Sequence, residues 1–240
     1  MRFNISVSDE LKTVAPNFVG AAIYGKVENS AYSESLWKEI NRYSEVLKEN
    51  FTTADIKKIE PIQATREVYK RCGKDPNRYR PAAEALRRRI IRGLDLYQIN
   101  TLVDLVNLVS IDSGLSMGGF DASYIEGNTL VLGVGKADEP FEGIGRGVLN
   151  IEGLPVYRDA VGGIGTPTSD EERTRLRLET TEFLALLNGY SGASALKEAV
   201  ELMQKLLVKH AGAKLDGLSV VYYYICIVFI VFMNLNIKWI

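Results

Sequence analysis

The sequence predicts a mixed α+β domain, and two observations carry that reading. Apolar residues recur at helical spacing in four segments before Gly114 and in two more after Pro167. Between them the texture changes: 13 of the 21 glycines fall from Gly114 to Gly165, alternating with short runs such as TLVLGV and LPVYRDAV. Dense glycine with apolar runs of that length describes a tightly turning β region. Neither an internal repeat nor a linker divides the two textures, so a single domain over 1–217 is expected, followed by an apolar tail, 218–240.

The elements follow in order. FNISV and NFVGAAIYGKV read as two short strands joined by a polar loop around Pro16. Tyr32 to Asn50 is helix-like, with Leu36, Ile40, Tyr43 and Leu47 on one face. A second helix covers Ile62 to Cys72 and stops at Gly73. After the loop GKDPNRYRP, a third helix runs from Pro81 to Arg92, with Ala82, Leu86 and Ile90 inward and Gly93 at its end. The fourth spans Ile99 to Gly114. Beyond the glycine-rich region, TSDEERTRLRLETTEFLALLNGY and SALKEAVELMQKLLVKHAG both read as helical.

The tail from Val220 to Met233 has no charge and is rich in β-branched and aromatic residues. Fourteen residues fall short of the roughly 20 that a membrane-crossing helix needs. A buried terminal strand is therefore preferred over a lipid-inserted segment, and a stretch of non-native sequence is the third reading.

Charge and cysteine usage bound the function. Net charge is −1 over 240 residues, so no global field points to nucleic acid. From Arg66 to Arg92, however, ten Lys/Arg face only Glu67, Asp75 and Glu84, a local +7 that leaves −8 for the rest. Within it Lys74, Arg78, Arg80, Arg87, Arg88 and Arg92 combine a loop with a helix, interleaved with Tyr69 and Tyr79. Such a patch suits phosphate contacts and base stacking; the competing reading is a solvated face balancing the acidic remainder. Cys72 and Cys226 make neither a disulfide framework nor a metal cluster, and a reducing, cytoplasmic setting is expected. MRFNISVSDELK lacks the apolar core of a signal peptide. No metal or other cofactor is expected.

Familiar motifs fail on inspection. Gly133-Val-Gly135-Lys136 lacks a phosphate loop's upstream glycine, because Leu130 stands there, and Ala137 replaces its Ser/Thr. The single histidine, His210, lies in the last turn of a helical segment, where a cation complements the dipole. Two features stay open. Asn100, Asp104 and Asn107 form an i, i+4, i+7 stripe on an otherwise apolar helix and must find polar partners. Adjacent Gly118 and Gly119, just before Phe120-Asp121, let a backbone approach a ligand closely or make a tight turn.

Taken together, INTLVDLVNLVSIDSGLSMGGFDASYIEGNTLVL resembles the B3/B4 domain of the phenylalanyl-tRNA synthetase β subunit. The matching positions are Asn100, Val103-Asp104, Asn107-Leu108-Val109, Gly114, Phe120-Asp121 and Ile125-Glu126-Gly127. The likeness continues more weakly through ADEPFEGI and RDAVGGIG to Thr181. The upstream segment IQATREVYKRCGKDPNRYRPAAEALRRRIIRG is similar to freestanding members, which are usually described as RNA-binding. The resemblance implies a bent central β-sheet or barrel flanked by helices, and in the synthetase an editing module that hydrolyses mischarged tRNA without metal. This chain departs from the family where the chemistry sits: Ser116-Met117-Gly118 replaces proline-apolar-histidine, and Leu186 falls near the expected glutamate.

The expectation is an RNA-binding protein, with tRNA as partner, contacting it through Lys74 to Arg92. An aminoacyl-tRNA deacylase comes second, its pocket built from Gly118, Gly119, Asp121, Gly163 and Thr181 with no general base evident; synthetase activity itself is not expected. A module for a small, amino-acid-like ligand without RNA comes third. Asn100, Asp104 and Asn107 are expected to be mainly structural, and membrane association is not expected.

Overall fold

The computed structural model describes residues 2–224 and the backbone of 228–230. Its centre is an antiparallel sheet of five strands in the order β11 (Val228–Ile230), β10 (Ser219–Tyr224), β2 (Val19–Lys26), β9 (Glu182–Gly189) and β3 (Met117–Asp121). A four-stranded sheet lies behind it: β1 (Asn4–Val7), β4 (Thr129–Val134), β7 (Pro155–Arg158) and β8 (Gly163–Gly165), with β1 parallel to β4 and the rest antiparallel. A two-stranded hairpin, β5 (Glu142–Gly143) and β6 (Gly147–Val148), projects from the same region. The sheets are open, so of the sheet or barrel expected the structure has the sheet. The apolar tail begins as β10, and its residues 225–227 and 231–240 lie outside the described residues.

Alternation along the strands builds the layers. On β9, Phe183, Ala185 and Leu187 face one side and Leu184 and Leu186 the other; on β2, Ala21 and Ile23 oppose Ala22 and Tyr24. The first set packs on α2 (Glu34–Asn50), α5 (Thr101–Ser113) and α6 (Ser194–His210), through Leu36, Ile40, Leu105, Val109, Val200 and Met203 among others. The second set meets Ile5, Leu130, Leu132 and Ile164 of the four-stranded sheet. The result is helices, sheet, sheet. α1 (Asp9–Val14), α3 (Glu60–Arg71) and α4 (Ala82–Ile91) complete the chain.

Several expectations need correction. TSDEERTRLRLETTEFLALLNGY is not a helix: it gives a 3-10 turn at Glu172–Thr174 and then β9, paired with both β2 and β3. A strand buried on both faces shows no alternation of apolar and polar residues, so its leucines mimic a buried helix. The polar loop around Pro16 is preceded by α1, whose Ser8 hydroxyl caps the N–H of Leu11. On α4 the inward face is Ala83, Arg87 and Ile90; Ala82 and Leu86 are only half-buried. α5 ends where Gly114 adopts φ 75°, a conformation that favours glycine.

The polar stripe of α5 is resolved residue by residue. Asn100 is the N-cap: its Oδ1 accepts from Val103 N at 3.0 Å, and its Nδ2 donates to Leu176 O at 3.4 Å. Asp104 is buried and accepts from Trp37 Nε1 at 2.8 Å and Ile99 N at 3.1 Å, so it ties α5 to α2. Burial holds its carboxyl above the usual range, against those two hydrogen bonds. Asn107, the third residue of the stripe, lines a cavity.

Candidate functional site

That cavity has a volume of about 520 Å³ and lies between α5, β3, the turn after β8 and the segment leading into β9. Its wall is apolar at Val103, Val106, Met117 and Leu176, and polar at Asn107, Thr166, Ser169 and Asp170. Among the described residues the Asn107 amide makes no hydrogen bond, which leaves it available to a ligand. Arg175, Arg177, Leu178 and Glu179 border the mouth, with Ile144 of the β5–β6 hairpin. Concavities of this size and composition are the usual form of small-molecule sites.

The floor is set by glycine. A Cβ on Gly118 would lie 2.3 Å from Phe120 Cζ and 2.9 Å from Asp170 Oδ1; one on Gly165 would lie 2.6 Å and 2.7 Å from the same atoms. Both strands must therefore lack side chains for the Phe120 ring and the Asp170 carboxyl to occupy that space. The carboxyl accepts from Gly119 N at 3.4 Å through Oδ2. Burial pushes it up to about 8, against that one hydrogen bond. At neutral pH Asp170 is thus largely protonated and can donate as well as accept.

Local structure fixes this carboxyl. Thr166 Oγ1 accepts from the backbone of Thr168 and Ser169, making a tight turn. Beyond the turn, Glu171 N bonds back to Ile164 O, and Ile144 N of the hairpin bonds to Asp170 O. Ala82 N, at the start of α4, donates to Pro167 O, so the turn is anchored from the helical side as well.

The sequence-derived pocket residues divide. Gly119 lines the cavity and Gly118 sits against its carboxyl. Asp121 faces away: it is buried, caps Ser123 N at 3.0 Å and accepts from Thr180 Oγ1 at 2.7 Å. Gly163 is packed under Phe141 and Val156 on β8, outside the cavity. Thr181 is exposed, so its hydroxyl orients nothing there; the neighbouring Thr180 is the buried threonine. Leu186 packs between the two sheets. The chemically capable group, Asp170, was missed, because nothing in TSDEER distinguishes it from the acids beside it.

The basic stretch also changes character. Lys74 is buried, with Nζ 3.9 Å from the centre of the Tyr79 ring and 3.2 Å from Asn150 O. Arg87 is buried and donates to Asp112 O at 2.7 Å. Both are buried, so neither presents its charge at the surface. Glu84, with no exposure, gathers Arg66 at 2.8 Å, Arg88 at 2.8 Å and Arg80 at 3.4 Å. Of the six residues in the patch, Arg78 and Arg92 are exposed and Arg80 and Arg88 partly so. His210 contacts Glu39 Oε1 at 2.8 Å and Ser35 Oγ at 3.1 Å, away from the cavity. Among the described residues no group of three His, Cys, Asp or Glu could hold a metal ion, and no helix is long and apolar enough to cross a membrane.

An open-sheet α+β fold with a cavity beside a glycine-lined strand defines a class, and comparison with known proteins assigns it. The family model for the B3/4 domain matches residues 64–210, and the chain belongs to that family. Among solved structures it is similar to an N-terminal fragment of the phenylalanyl-tRNA synthetase β subunit from Pyrococcus horikoshii, with a TM-score of 0.51 and 15% identity. That likeness covers 95% of this chain and 54% of the other, so the chain spans about half the length of the fragment. No curated protein matches the sequence significantly.

Proposed function

We propose that this B3/4 protein binds the aminoacylated 3′ end of a tRNA, with the aminoacyl group in the cavity. The observation that carries the reading is Asp170, a deeply set carboxyl beside the Gly118–Gly119 backbone in a cavity otherwise walled by Val103, Val106, Met117 and Leu176. An apolar amino-acid side chain suits that wall, and the polar edge at Asn107, Thr166 and Ser169 suits the ester and ribose. Ala82 borders the cavity, so the basic segment with exposed Arg78 begins at its edge.

The same carboxyl favours hydrolysis as the chemistry. In its ionised form, a carboxyl pushed up to about 8 can take a proton from water as it attacks the ester carbonyl and return it to the departing ribose oxygen. The bond broken is the acyl C–O bond; the products are a free amino acid and an uncharged 3′ end. The burial of Lys74 and Arg87 and the pairing of Arg80 and Arg88 with Glu84 support the competing small-ligand reading.

Incubating the protein with tRNA charged with a radiolabelled apolar amino acid tests all three. Salt-dependent binding of charged tRNA supports the reading, and release of label that is lost in Asp170→Asn and Asp170→Ala supports hydrolysis. Binding of free amino acid with no affinity for any tRNA would replace both by the small-ligand module.

A further inference from the structure

The cavity mouth holds two arginines outside the basic stretch, and one of them has no carboxylate partner among the described residues. Arg177 stacks its guanidinium 4.3 Å from the centre of the Tyr124 ring and donates to the backbone carbonyls of Glu172, Arg173 and Arg175. Its own N–H is bonded to Thr180 Oγ1 at 2.9 Å. Among the described residues it forms no ion pair with a carboxylate, in contrast to Arg80 and Arg88 on Glu84 and to Arg173 on Asp159. The bonds to those carbonyls fix the guanidinium and occupy its terminal N–H groups, so what it offers an anion at the mouth is mainly an uncancelled positive charge. Arg175, 46% exposed at its side chain, stands two residues away on the same mouth, with Glu172 as its surface partner. The backbone of Arg175 is bridged to Phe120, which holds this mouth segment to the cavity floor.

We infer that Arg175 contacts the terminal phosphodiester of the RNA whose aminoacyl group enters the cavity, with the fixed charge of Arg177 beside it, and that this mouth supplies the phosphate contact ahead of α4. The inference rests on the aminoacyl-end reading above. Chemistry and position agree. An RNA end threading its last residue into the cavity brings a phosphate to the rim, and Tyr124 and Leu178, 47% and 51% exposed, give the neighbouring base an apolar surface. Glu179 is also on the rim, exposed, and Glu172 must release Arg175 when a phosphate arrives. An exposed pair of that kind is readily exchanged.

Two probes separate the inference from the reading beneath it. One is a stem-loop RNA with an unpaired 3′ end bearing phenylalanine through a non-hydrolysable amide; the other is the same amide-linked phenylalanyl-adenosine without any phosphate. Wild type should bind both. Arg175→Gln should weaken the RNA by about tenfold, the size of one charged hydrogen bond, and lower the salt slope by about 0.7, one single-stranded phosphate contact. Its affinity for the phosphate-free nucleoside should be unchanged. Arg177→Lys keeps the charge but not the fork, and should fall between the two. Arg175→Lys should recover most of the binding. RNA affinity equal to wild type in Arg175→Gln, or equal losses for both probes, would overturn the phosphate assignment. Wild type binding neither probe would end the aminoacyl-end reading and this inference with it.

Discussion

Asp170→Asn should remove one pH-dependent contribution to stability. The carboxyl moves from its ordinary 3.8 to about 8 in the fold, so between those values the native state holds a proton that the unfolded chain releases. A state that binds more protons is favoured at low pH. The contribution of Asp170 is therefore most favourable below about pH 4, declines as pH rises, and levels off above about pH 8. Each pKa unit corresponds to about 1.4 kcal/mol, so the full shift sets a ceiling of about 5–6 kcal/mol. Asp170 retains some contact with solvent, which roughly halves this to about 2–3 kcal/mol. Asparagine keeps the shape and an acceptor for Gly119 N but has no proton to lose. Urea unfolding of both proteins at half-unit steps from about pH 4.5 to 8.5 isolates the difference, because every other titrating group is common to the pair. The variant should gain steadily on wild type and be the more stable protein at the alkaline end. A gap that does not change with pH, or one that closes in the opposite sense, would mean that the carboxyl is well solvated and that the cavity floor is wrongly described.

Other perturbations follow from the same contacts. Asp104→Ala strands Trp37 Nε1 and Ile99 N and should cost about 1–3 kcal/mol in chemical denaturation; a variant that unfolds like wild type would sink the tie between α5 and α2. Glu84→Gln leaves Arg66 and Arg88 without their buried counter-charge and should lose about 3 kcal/mol or more, read from the shift in urea midpoint. Arg78→Ala with Arg92→Ala removes only exposed cations, so the melting temperature should hardly move; any effect on tRNA affinity measured at two salt concentrations then reports a contact rather than damage. Arg80 and Arg88 are unsuitable for that test, because both support Glu84.

What the sequence revealed and what it hid have physical causes. α2 and α6 were legible because each exposes one face, so the apolar period shows, and α5 because its apolar run starts at the Asn100 cap and stops at Gly114. β9 was not: Glu182–Gly189 is sandwiched between helices and a second sheet, and both faces are apolar. Leucine and alanine then favour a helix locally while pairing with β2 and β3 decides otherwise. α4 misled in another way. Arginine at an inward position reads as solvent-facing, and neither the burial of Glu84 nor the carbonyl that receives Arg87 can be seen in a one-dimensional pattern. The paired glycines of β3 drew attention to the right strand. They could not say what filled the space above them, since Asp170 is 52 residues from Gly118 and reaches it only through the turn after β8.

That juxtaposition changes the meaning of the missing histidine. In the family pattern that the sequence resembles, an imidazole stands where Gly118 stands here. Yet a side chain at 118 would begin 2.3 Å from the Phe120 ring and 2.9 Å from the Asp170 carboxyl, space that the two groups already fill together with the gap left by Gly165. A side chain at 118 therefore requires the Phe120 ring and the Asp170 carboxyl to move. The glycine leaves room for the Asp170 carboxyl, which burial pushes up to about 8 and which has the Gly119 N–H as its only hydrogen-bond donor among the described residues. A substrate that brings its own cation is what would draw that carboxyl into its ionised form, the form that can accept a proton from water.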